Sequence, residues 1–135
     1  MRTTMIVVVA AVGLVLATVP VRAHHAFAAE FDQDKPIKVQ GAVTKWELTN
    51  PHSWIYIDVK GEDGKAVTWM IEGASPNNLY RLGLTKESLP AGTEITVEGY
   101  QAKDGSTRAV GRNILFANGK KFFLGLTEAE GAPKQ

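Results

Sequence analysis

The sequence predicts an all-β protein with one short helix, a small OB-like antiparallel β-barrel. Three observations carry this expectation. Apolar and polar residues alternate with a period of two in successive short runs. Turn-forming pairs, Asp63-Gly64, Asp104-Gly105 and Asn118-Gly119, separate several of those runs. One helical stretch falls between the third and fourth run, where an OB barrel places its helix. A flatter antiparallel sandwich of similar strand count is the alternative.

Ile37, Val39, Gly41 and Val43 alternate with Lys38, Gln40, Ala42 and Thr44, which sets the first strand from about Ile37. It runs to Leu48 and stops at Thr49-Asn50-Pro51, where proline removes a ladder donor and biases Asn50 away from helix. The second strand, Trp54 to Val59, points Ile55, Ile57 and Val59 to one face and Trp54, Tyr56 and Asp58 to the other. A turn at Glu62-Asp63-Gly64-Lys65 leads into the third strand, Ala66 to Glu72. Ser75 to Gly83 reads as the helix: Ser75 is placed to cap it, Pro76 suits its first turn and Gly83 ends it. Glu94 to Tyr100 is the fourth strand, with Ile95 and Val97 inward, and Thr107 to Phe116 the fifth. A short sixth spans Lys120 to Leu124, and residues 127–135 read as a flexible tail.

Residues 1–23 carry the three parts of a cleavable secretory signal. Arg2 supplies the charge, Met5 to Val19 the apolar run, and Val21-Arg22-Ala23 the small residues at the cut. Pro20 and Arg22 interrupt the run short of the roughly 20 apolar residues that a spanning helix needs, so no stable membrane span is expected after cleavage. The expected compartment is the periplasm or the medium of a bacterium. Cutting after Ala23 makes His24 the first residue and leaves 112 residues, which suits a single domain over 24–126.

Loss of Arg2 and Arg22 leaves 13 basic side chains against 14 acidic ones, a net charge of −1. That balance and the export signal both argue against a nucleic-acid partner. The absence of cysteine excludes disulfides, thiolate metal sites and thiol nucleophiles. Any metal must be held by histidine, carboxylate, methionine, backbone or the terminal amine.

The three histidines fall in two places, His24-His25 and the segment Asn50-Pro51-His52-Ser53-Trp54. The α-amine and Nδ1 of a first-position histidine chelate one metal ion together, and a distant imidazole completes a T-shaped three-nitrogen site that favours copper. This arrangement resembles the histidine brace of copper-dependent polysaccharide monooxygenases and of some periplasmic copper-binding proteins. The likeness covers one terminal residue and one distal histidine. The expected ligands are His24 and His52, with His25 the alternative distal ligand, disfavoured because adjacent residues strain a three-nitrogen plane. Glu30, Asp32 and Met70 are axial or supporting candidates. The competing reading leaves His24-His25 as a solvated terminus and His52 as a turn cap.

His52, Trp54 and Tyr56 share parity and therefore a strand face. Exposed aromatics on the second and third strands of an OB barrel lie where such folds bind oligonucleotides or oligosaccharides. Trp54 and Tyr56, with Trp46 or Trp69, are thus candidates for a metal-independent glycan- or protein-binding module, or for an accessory subunit of an exported enzyme. The alternative is that the N-terminal segment covers these rings through Phe27 and Phe31 in a second small core. The sequence carries no nucleophile elbow, no phosphate-cradling glycine loop and no dinucleotide fingerprint. Glu47, Asp58, Glu72, Glu94 and Glu98 read as carboxylates on a solvated face. The expectation is a binding protein rather than an enzyme, with a copper ion, an exported protein or a glycan as partner.

The segments His24-His25-Ala26-Phe27-Ala28-Ala29-Glu30-Phe31-Asp32, Gly41-Ala42-Val43, Asn50-Pro51-His52-Ser53-Trp54, Val97-Glu98-Gly99-Tyr100 and Lys103-Asp104-Gly105 together resemble a family of small exported bacterial proteins catalogued as a domain of unknown function. The resemblance implies export and a single small β domain, and it implies no activity or site.

Overall fold

A computed structural model describes residues 29–125 of the chain. The expected signal segment 1–23, His24, His25, Phe27 and the expected tail 127–135 lie outside these residues. Within them, the alternating runs form β1 (Phe31–Leu48), β2 (Ser53–Lys60), β3 (Ala66–Gly73), β4 (Glu94–Ala102), β5 (Arg108–Phe116) and β6 (Lys121–Phe123). One helix, α1 (Pro76–Arg81), joins β3 to β4.

The strands lie in the order β3-β2-β1-β4-β5-β6, and a further pairing of β3 with β5 closes them into a ring. That closing contact is parallel, and the other ladders are antiparallel. The result is the OB-like arrangement that the order of runs predicts, with the helix between its third and fourth strands. No helix among the described residues is long and apolar enough to cross a membrane.

β1 begins six residues before the alternation does. Its first stretch contains Asp32, Asp34, Lys35 and Pro36, residues that disfavour strand, and its pairing with β4 shifts register between Phe31 and Pro36. The strand is long because it serves two neighbours: Pro36 to Ala42 pairs with β4, and Ala42 to Leu48 pairs with β2. Gly41 lies at the hand-over. A Cβ there would stand 2.2 Å from the Asp58 carbonyl oxygen, so the close approach of β1 and β2 requires glycine.

The inward parity of each strand fills the ring. Val43, Ile55, Ile57, Ile71, Ile95, Val97 and Ile114 are all buried, together with Leu79 of α1 and with Leu84 and Leu89 of the connection to β4. Each such side chain contributes about 1.5–3 kcal/mol through removal from water. The helix differs from expectation at its start, because Ser75 makes no side-chain cap bond. Pro76 provides the pre-set first turn, and Gly83, at φ 87°, ends the helix as expected.

Candidate functional site

His52 follows the cis Asn50-Pro51 bond and immediately precedes β2, whose outward parity it shares with Trp54 and Tyr56. The β2–β3 register places Trp54 opposite Glu72 and Tyr56 opposite Met70. The parallel β3–β5 ladder then sets Met70 beside Arg108. The β2–β3 hairpin and the sequence-distant β5 thereby bring His52, Glu72, Arg108 and Trp54 to one patch of the outer wall.

Glu72 is the centre of this patch, and it is only 7% exposed. Its Oε1 pairs with Nδ1 of His52, and its Oε2 lies 3.7 Å from Nη2 of Arg108. The same Arg108 nitrogen lies 2.5 Å from Oε2 of Glu30. The Arg108 guanidinium also sits 5.4 Å from the Phe31 ring centroid and 5.7 Å from that of Trp54. Arg108 therefore ties the start of β1 to the His52 corner by charge and by ring contact. Among the described residues, the buried Arg108 Nε and Ser53 Oγ have no hydrogen-bond partner.

Burial pushes the Glu72 carboxyl above the usual carboxylate range. His52 and Arg108 pull it down and Glu30 pushes it up again, and burial prevails. The position was expected on a solvated face, and the structure corrects that: the outer wall at Glu72 is covered by Arg108, Trp54 and the incoming Glu30–Phe31 segment.

Trp54 and Tyr56 are half-buried, and each carries a cation at its ring. Arg108 serves Trp54, and Lys45 Nζ stands 5.4 Å from the Tyr56 centroid. The Tyr56 hydroxyl donates to Glu47 Oε2 at 3.2 Å. Desolvation and the Glu47 charge raise the Tyr56 pKa, so this hydroxyl keeps its proton. Phe31, 4% exposed, packs with Ala102, Val110 and Tyr100 in a second small core, which does not include the Trp54 and Tyr56 rings it was expected to cover, and Phe27 lies outside the described residues.

Of the other candidates, Glu30 is three ionic contacts from His52, through Arg108 and Glu72. Asp32 turns away: it accepts a hydrogen bond from the Asp34 amide at 3.0 Å and pairs with Lys35 at 3.8 Å. Met70 is half-buried on β3. Among the described residues no three His, Asp or Glu side chains form a metal-holding group. Glu72 and Arg108 were not singled out from sequence. Counting back from the Asp63-Gly64 turn would have set Glu72 across from Trp54, whereas Arg108 arrives only through the long-range β3–β5 ladder.

A closed OB-like sheet with a His–Glu–Arg cluster built on its wall defines a small β-domain whose distinctive chemistry lies in one imidazole held by a buried carboxylate. The chain belongs to a family of unknown function, DUF6152, whose sequence model matches residues 11–112. No curated protein matches the chain.

Proposed function

We propose that the protein is an exported copper-binding protein, with the His24 amine and imidazole and the His52 imidazole as nitrogen ligands. One observation carries this reading. The Glu72 carboxylate engages His52 Nδ1, which leaves Nε2 as the nitrogen able to hold a metal, and the His52 side chain is 34% exposed. A carboxylate on the second ring nitrogen is the usual support of a metal-ligating histidine, because it fixes the tautomer and raises the basicity of the other nitrogen.

The position of Glu30 adds to the reading. The chain enters at the His52 corner, and the six residues from His24 to Ala29 extend at most about 20 Å. His24 is thus within reach of His52 once the signal is removed after Ala23. Two nitrogens from one terminal residue and a third from a fixed imidazole suit copper better than other first-row divalent ions.

The test is intact mass of the protein recovered after export, followed by copper titration of that material and of His52→Ala. The expected result is a chain starting at His24, one tight copper equivalent, and at least tenfold weaker binding for the variant, about 1.4 kcal/mol. A different first residue, or unchanged affinity in His52→Ala, overturns the reading.

A further inference from the structure

We propose that the outer groove across β1, β4, β5 and β6 binds a uronic-acid sugar, with the ligand carboxylate on Arg112. This groove is separate from the His52 wall, and the inference stands independently of the copper reading. The groove is open to solvent on one side and has a volume of about 730 Å³, within the size of ordinary small-molecule sites, and none of His52, Glu72 or Arg108 lines it.

A bulge builds the site. The β4–β5 register pairs Glu98 with Asn113 and then Gly99 with Gly111, which leaves Arg112 as the extra residue. Arg112 and Asn113 therefore both line the groove, although they are neighbours in a strand that would otherwise alternate. Gly111 keeps the inward position, where a Cβ would meet Ile71 Cγ2 at 2.8 Å. The Arg112 carbonyl accepts from the Leu124 amide at 2.8 Å and the Gly125 amide at 3.1 Å, which holds the bulge from the chain after β6.

The charges are unequal. Lys38 and Lys121 each stand 3.4 Å from the Glu98 carboxylate, and no carboxylate among the described residues pairs with Arg112. Its guanidinium donates to the Tyr100 hydroxyl at 3.4 Å. A half-buried planar fork without a carboxylate matches one carboxylate bidentately. Phe123, 38% exposed, lines the edge of the groove, and Glu98 and Asn113, whose Nδ2 donates to Glu98 Oε2 at 3.4 Å, supply an acceptor and a second N–H donor for hydroxyls. One carboxylate, several hydroxyls and a C–H face on one small ring describe a uronate.

Amide NMR titration of the exported protein with galacturonate oligomers tests this, with galactose oligomers, benzoate and sulfate as controls. The expected result is saturable shifts confined to residues around Glu98, Arg112 and Lys121, at least tenfold weaker in Arg112→Gln and much weaker for galactose. Lys121→Gln is the second variant, with a smaller loss, should Arg112→Gln change the unfolding midpoint. Absence of saturable groove shifts, undiminished binding by well-folded variants, or equal binding of benzoate or sulfate overturns the proposal.

Discussion

Nδ1 of His52 is held by Oε1 of Glu72, a buried carboxylate from the adjacent strand. Burying an ionised carboxyl is costly unless charges and hydrogen-bond donors compensate it. Here the compensation comes from one imidazole on the β2 side and one guanidinium on the β5 side. The arrangement orients the His52 ring by means of a group whose backbone is paired on both sides, with Trp54 of β2 and Val110 of β5.

Glu72→Gln keeps the shape of the side chain and removes its charge. On the copper reading, the basicity of His52 Nε2 falls, and copper affinity is expected to drop about 10- to 100-fold, the effect of losing a supporting carboxylate. Competition against a chromophoric chelator measures it, with circular dichroism as the check on folding. An affinity equal to that of the unaltered protein removes Glu72 from any role at the metal.

Arg108 and Glu30 form the outer part of the same chain of charges, but they differ in burial. Arg108→Ala leaves Glu72 with His52 alone. The expected destabilisation is about 2–3 kcal/mol, below the 3–5 of a fully buried pair because the Arg108 side chain is about one third exposed. Glu30→Gln breaks a more exposed pair and is expected to cost less than about 1 kcal/mol. Urea unfolding of the two variants separates them, and equal losses would place the importance of Arg108 outside its contact with Glu72.

Most of the sheet was legible because local rules and tertiary packing agree. Ile55 and Ile57 alternate with Trp54 and Tyr56 in sequence and separate to the two faces in space. The Asp63-Gly64 and Asp104-Gly105 turns put glycine at φ 77° and 75°, and each aspartate accepts from the amide two residues on. The start of β1 was not legible, since Asp32 to Pro36 has turn composition, and its extension rests on the Phe31 and Pro36 pairings with β4 on either side of a register shift. Of the candidate site, the shared face of His52, Trp54 and Tyr56 was readable from parity. Glu72 was not, because its burial depends on Arg108, which lies 36 positions away and arrives through the ring-closing ladder. The bulge at Arg112 escaped for a related reason: only the partner strand shows that the register slips there.

Gly41 and Gly64 are needed for different physical reasons, and alanine at each distinguishes them. At Gly64 a Cβ meets nothing within 4 Å, so Gly64→Ala suffers only from positive φ, about 1 kcal/mol. At Gly41 the added carbon would overlap the Asp58 carbonyl, and backbone of two paired strands must separate. The expected cost is about 3 kcal/mol or more, the upper range of overpacking. Equal unfolding midpoints for the two variants would show that β1 and β2 part without loss.

Glu98 links stability to pH in a direction that can be worked out. Partial desolvation raises its pKa, and Lys38, Lys121 and Asn113 together outweigh it, so the folded value lies below the ordinary 4.5. A carboxyl whose pKa is lowered by folding contributes stability that is complete above the unfolded value and is lost as pH falls through the folded one. The stability difference between the native protein and Glu98→Gln is therefore expected to be constant above about pH 5 and to shrink toward about pH 3. Urea midpoints of both proteins across that range measure it. Other carboxyls titrate in the same window, but they do so in both proteins and cancel in the difference. A gap that stays constant to the lowest pH would mean that the contacts of Glu98 with the two lysines leave its proton affinity unchanged.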